Sequence, residues 1–153
     1  MLKQVIQILR DREFVNVATC DLTGRPNAAP KFFLKIDENH IYLIDYTWGR
    51  TWENLKINPR VSLPLVDMDS LRGYQMNGTA QIIDKGNEYL SVADELVQRK
   101  IDLSTKRIIE GVTKGKRHGN FEVSLPDKFI LFKVKIEEVV EIGSSGELKR
   151  ERV

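Results

Sequence analysis

Apolar residues recur along this chain at two periods. Val5, Ile6 and Leu9 repeat at helical spacing, which predicts a short amphipathic helix over residues 2–12. From Phe14 the period drops to two, and residues 14–20, 27–36, 41–46, 60–66, 72–83 and 129–136 read as strands. The turn Asp21-Leu22-Thr23-Gly24, where Gly24 can take positive φ, and the polar cluster Asp37-Glu38-Asn39-His40 join the first three strands as antiparallel neighbours. In the second strand Ala28, Pro30, Phe32, Leu34 and Ile36 are expected on one face, with Ala29, Lys31, Phe33 and Lys35 on the other. In the fifth, Tyr74, Met76, Ala80 and Ile82 oppose Gln75, Asn77, Thr79 and Gln81. In the last, Ile130, Phe132, Val134 and Ile136 point inward.

A short helix over about 50–57 is stopped by Pro59, and residues 86–113 fit one or two helices through Leu90, Ala93, Leu96, Val97, Ile101, Ile108 and Ile109. Residues 115–120 form a basic, glycine-containing loop, and the charged stretch Gly143–Val153 is expected to fray. The class is mainly β (α+β). Six strands in hairpin order are best closed into a small antiparallel barrel with flanking short helices, because closure removes exposed strand edges. No internal repeat or linker marks a second domain, so residues 1–142 are expected to form one domain, with 143–153 as a polar C-terminal tail.

Composition narrows the function classes. The chain has 153 residues, is 41% hydrophobic and carries 24 basic against 22 acidic side chains, a net charge of +2. That near-neutral balance argues against nucleic acid or a membrane surface as the main partner. Cys20 is the sole cysteine, so no internal disulfide and no cysteine-based metal site forms, and two scattered histidines without carboxylate spacing make no metal centre. No apolar stretch is long enough to span a bilayer and the N-terminus has no signal-peptide core. A cytoplasmic location is expected.

The chemistry concentrates in Ile41–Leu55, where a strand runs into Gly49-Arg50-Thr51 and a helix. Free amides at a helix start, a guanidinium and a hydroxyl are the ingredients of a phosphate cradle. The same residues also read as an ordinary strand-to-helix turn with a surface arginine. In order and spacing, Gly24-Arg25-Pro26-Asn27-Ala28-Ala29-Pro30, the Gly-Arg-Thr turn with a helix ending Asn54-Leu55, and Asn58-Pro59-Arg60-Val61-Ser62-Leu63 leading to Asn77-Gly78-Thr79-Ala80 resemble the pyridoxamine 5'-phosphate oxidase-like FMN-binding split barrels.

That resemblance implies a six-stranded split β-barrel of Greek-key type with FMN as cofactor. It implies that the backbone of Pro30, Lys31, Phe32 and Phe33 lies against the isoalloxazine ring. Ile44 and Asp45 would approach the ring and ribityl chain, and Gly49, Arg50 and Thr51 would hold the phosphate. It further implies a homodimer with the flavin between subunits, the partner contributing residues around Arg72, Gly73, Tyr74 and Gln75. Many relatives have a lysine where this chain has Thr51, which would leave Arg50 carrying more of the phosphate.

Several side chains keep two readings. Lys31 is a cation beside the ring or a plain outward strand lysine. Trp48 and Trp52 stack on the ligand or pack the helix and the subunit contact. Tyr46 lies near the ligand or is half buried in the sheet. Asn54 holds Arg50 or sits on a solvated helix face. Lys114, Lys116, Arg117 and His118 grip an anion or form a solvated loop, and His118 is the best-placed group for proton chemistry. His40 reads as surface and Cys20 as a small buried strand residue. The expected function is an FMN-dependent oxidoreductase using a small-molecule substrate or electron donor. No side chain is demanded as acid or base. The alternatives are a flavin-binding electron carrier, a binder of deazaflavin or haem in the same cleft, and a barrel without cofactor.

Overall fold

The computed structural model describes residues 1–115 and 127–153. They form two compact units, Met1–Ile83 with Phe129–Val153, and Asp84–Lys128. The first holds α1 (Leu2–Arg10), β1 (Phe14–Cys20), β2 (Pro26–Asp37), β3 (His40–Asp45), α2 (Arg50–Ile57), β4 (Arg60–Asp67), β5 (Arg72–Ile83), β6 (Ile130–Ile142) and β7 (Leu148–Arg152). All strand pairings are antiparallel, in the order β3-β2-β1-β4-β5-β6-β7, and a further β3–β6 pairing closes the first six strands into a barrel. The run β3-β2-β1-β4, three hairpin-linked strands and then a return beside the first, is a Greek key.

The hairpin turns arise from local chemistry. Asp21 Oδ1 accepts the amides of Thr23 (2.9 Å) and Arg25 (3.0 Å), while Gly24 takes φ 83°, so the β1–β2 register places Thr19 opposite Asn27. Inside the barrel, Val15, Val17, Phe33, Ile41, Leu43, Leu63, Met76, Phe132 and Val134 form the core, joined by Val5 and Leu9 of α1. A second buried set, Phe32, Tyr42, Ile44 and Leu131, occupies the opposite face of the same strands.

Three expectations about faces and ends are corrected. A bulge between Phe33 and Lys35 in the β2–β3 ladder breaks the alternation, so Phe33 and Ile36 both turn to the core; Pro30, Phe32 and Ile36 do not share one face. The last expected strand runs six residues further than Ile136, because an irregularity opposite Asn77 and Gly78 resets its phase and brings Val139 inward. Residues 143–153 do not fray: Gly146 (φ 91°) turns the chain and Leu148–Arg152 pairs with Glu138–Ile142. All five β7 residues are exposed, so the strand is held by its backbone ladder and leaves no period-two apolar signal.

The second unit contains α3 (Asn87–Thr113), one continuous helix rather than two. Gly86, at φ 93°, is its N-cap. No helix among the described residues is long and apolar enough to cross a membrane.

Where β6 changes phase, the Gly78 Cα lies so close to it that a Cβ would overlap the Lys135 carbonyl oxygen. Gly78→Ala should therefore destabilise the protein by about 1–3 kcal/mol, the range for overpacking. A lower urea midpoint at unchanged m-value is the check.

Candidate functional site

β2 is twelve residues long and β3 only six. Their pairing ends at Phe32↔Ile44, so beyond it β2 keeps β1 on one edge and no strand, among the described residues, on the other. Phe33 N–H donates to Glu13 O and Asp21 N–H to Arg25 O, so odd-numbered residues of β2 aim their backbone groups at β1. Even-numbered ones aim at the open edge. That edge offers the Ala28 amide and the carbonyls of Pro26, Ala28 and Pro30, and the two prolines withhold their donors from any stray strand.

At the fork where β2 and β3 part, Lys31 Nζ lies 2.5 Å from Asp45 Oδ2, with both side chains over nine-tenths buried. Asp45 Oδ1 also accepts the Thr47 amide (3.1 Å) and the Thr47 hydroxyl (2.8 Å), which bends the chain toward α2. Lys31 is therefore not a plain outward strand lysine: it is inward-facing and ion-paired. The Tyr46 hydroxyl is buried without a hydrogen-bond partner among the described residues, and loss of solvent pushes its pKa up to about 12.

α2 begins at Gly49, an extended N-cap with no side chain bonding to the first turn, so its leading amides stay available. The Arg50 side chain is half exposed, with Glu53 at 3.8 Å as its nearest acid. Thr51, expected at the phosphate, is buried and its hydroxyl accepts Asn27 Nδ2 at 3.1 Å. Asn54 holds neither Arg50 nor solvent. It is buried and donates to Thr19 Oγ1 at 3.0 Å, and Asn58 donates to Cys20 O at 3.2 Å. Thr19, Asn27, Thr51 and Asn54 therefore form a polar seam fastening α2 to the β1–β2 hairpin. One cue to it is present in the sequence: Thr19 is a polar residue in phase with inward Val15 and Val17.

The remaining expected residues are dispersed. Pro30 is exposed on the open edge, Phe33 is in the core, and Phe32 sets its ring edge-on to Phe14 at 5.8 Å. Ile44 is buried, with backbone paired to Phe32 and Leu131 on either side. Gln75 is exposed on β5, separated from β2 in the sheet by β1 and β4. Trp52 packs on the core with Lys56 Nζ 3.8 Å from its ring centre, whereas Trp48 is exposed. Lys116, Arg117 and His118 lie outside the described residues.

A cleft of about 820 Å³ opens on the barrel, lined by Thr19 and Cys20 of the seam strand together with Arg60, Asn77, Glu137, Glu138 and Arg152 among others. None of the ten expected residues lines it. Its two arginines and two glutamates cancel, so it has no bias toward an anion, and the turn at Gly49 is the better phosphate candidate.

A family model for pyridoxamine 5'-phosphate oxidase matches residues 1–142. A curated relative, "Heme oxygenase HutZ" of Vibrio cholerae serotype O1, is 23% identical over 146 residues, covering 94% of this chain and 77% of that protein. Among solved structures, a protein from Clostridium acetobutylicum related to general stress protein 26 of B. subtilis (pyridoxinephosphate oxidase family) superposes with TM-score 0.69 at 18% identity, over 99% of this chain and 94% of the other. A pyridoxamine 5'-phosphate oxidase-related, FMN binding protein from Nostoc punctiforme superposes with TM-score 0.58 at 13% identity, over 99% and 94%. At such identities these structures establish a shared fold.

The polar seam predicts a division of labour within α2. Asn54→Ala removes the 3.0 Å donor to Thr19, leaving only Asn27 at 3.5 Å, and should cost about 1–3 kcal/mol of stability. Arg50→Ala, at the exposed helix start, should change stability by no more than about 0.5 kcal/mol. Urea denaturation of the two variants side by side is the measurement.

Proposed function

The chain belongs to the pyridoxamine 5'-phosphate oxidase family, and from that premise we propose that it is an FMN-binding flavoprotein acting as an oxidoreductase on a small molecule. The observation that carries the reading is the pairing of an uncapped helix start, Gly49 with Arg50, and an open strand edge at Pro26–Lys31 in one compact unit. An anion suits the first. The second provides the directed backbone donors and acceptors that a flat heterocycle needs on its polar rim. The Tyr46 hydroxyl, on the segment that joins β3 to α2, is buried without a partner among the described residues and is a group that a ligand would satisfy.

Arg50 and the amides at Gly49–Thr51 would hold the phosphate. The β2 edge at Ala28 and Pro30 would face the ring, with Lys31, Phe32, Phe33, Ile44 and Asp45 supporting it from the sheet. The Thr51 hydroxyl is engaged by Asn27, so its contribution would come through its amide. The flavin supplies hydride chemistry, and the chain supplies binding and orientation. A second copy of the chain would cover the ligand, presenting Gln75 and its neighbours from β5. The partners are thus a small-molecule substrate or electron donor and a second subunit. We place the protein in the cytoplasm.

Haem in the same place is the second reading, favoured by the relative named a heme oxygenase. An iron porphyrin needs an axial ligand. His40 begins β3 at the end away from Asp45, about 17 Å along the strand.

Purified protein should show flavin absorbance and release FMN by mass; a Soret band selects haem, a deazaflavin mass selects that cofactor, and colourless protein after soaking in FMN removes the flavin reading. Arg50→Ala should weaken FMN binding by about 1.5–3 kcal/mol, roughly tenfold or more in Kd. Light scattering on the coloured fraction should return twice the 17.6 kDa chain. Bleaching by reduced nicotinamide separates an enzyme from a carrier that only dithionite reduces.

A further inference from the structure

The Lys31–Asp45 pair is costly where it stands. Lys31 is the cross-strand neighbour of Asp45 in the register set by Phe32↔Ile44, on the face shared with Phe33 and Leu43, both core residues. An apolar pair would suit that environment as well or better, because a buried ion pair's desolvation offsets much of its attraction. Packing therefore does not account for it. Its connectivity does. One carboxylate ties two segments: its Oδ2 pairs with the Lys31 ammonium from β2, and its Oδ1 accepts the amide and hydroxyl of Thr47 from the turn leading to α2. It stands where β2 and β3 part, at the point where the open β2 edge begins and four residues before the Gly49 helix start in the chain.

We infer that the Lys31–Asp45–Thr47 chain is a positioning and specificity device: it sets the span between the open strand edge and the helix start, so that a ligand is gripped at both its ring and its phosphate. The inference rests on the FMN reading and deepens it, assigning the discrimination between phosphorylated and unphosphorylated flavin to the chain that links the two grips rather than to the grips themselves. Lys31 acts here through Asp45 as a tether, and the turn geometry depends on that tie. A ligand held by its ring alone is indifferent to the span.

The test is titration of the full-length protein with FMN and with riboflavin, which lacks the phosphate, for wild type, Asp45→Asn and Thr47→Val. Asp45→Asn keeps the shape and an acceptor for Thr47 but removes the charge that holds Lys31. It should lower FMN affinity by ~tenfold or more beyond any change in riboflavin affinity, so the FMN-to-riboflavin preference collapses. Thr47→Val, at an exposed residue, removes only the hydroxyl bond and should shift the same ratio in the same direction by less, which keeps the test decisive if Asp45→Asn fails to fold. A purely structural role would lower both affinities together and leave the ratio unchanged, and that result overturns the inference. Wild type that binds neither flavin overturns the FMN reading itself. Wild type that binds both, with equal ratios in every folded variant, overturns the positioning role alone.

Discussion

The six-residue length of β3 is the constraint on which the architecture turns. This strand gives one edge to β2 and the other to β6, and its six register pairs with β6 close the sheet into a barrel. Because it stops at Asp45 while β2 has run on from Pro26, the strand that seals the cylinder also leaves half of β2 uncovered. A longer β3 would pair that edge with backbone. Closure and the candidate site are two consequences of one length, and the buried charge pair marks the point where they separate.

The helix beyond β3 is held by direction more than by burial. Only Thr51, Asn54 and Leu55 of α2 are buried, and two of those three are polar. Hydrogen bonds to Thr19 and Asn27 fix the rotation and height of the helix where apolar contact would tolerate sliding. Such an arrangement costs stability if any member is lost, but it presents Gly49 and Arg50 from a rigid base. On the far side of the barrel the shared strand is β6, which pairs with β3 through its first half and with β7 through its second. The change of partner coincides with the ladder irregularity and with Gly78, where only a residue without a side chain allows β5 to approach.

The first six strands and the two short helices were legible because each buries one face, and burial on one face writes a period into the sequence; the Greek-key order came from the family resemblance. The Gly24 turn and the stop at Pro59 were legible from local backbone chemistry. The faces of β2 past Leu34 and of β6 past Ile136 were not. A bulge shifts the phase without altering composition, so counting alternate residues carries the error forward. β7 was hidden for a related reason: an edge strand with every side chain in water has no apolar rhythm, and backbone pairing alone defines it.

At the candidate site the division is sharper. Sequence by itself determined which residues occupy the strand, the glycine turn and the helix start, since those depend on neighbours within a few positions. Tertiary structure alone decided what their side chains do. It turned Thr51 and Asn54 inward onto Thr19 and Asn27, left Arg50 in solvent, and joined Lys31 to Asp45 across two strands. The physical reason is that a polar side chain's role is set by whichever donor or acceptor the fold brings within about 3 Å, and such partners, 8 to 35 positions apart here, leave no mark in local pattern.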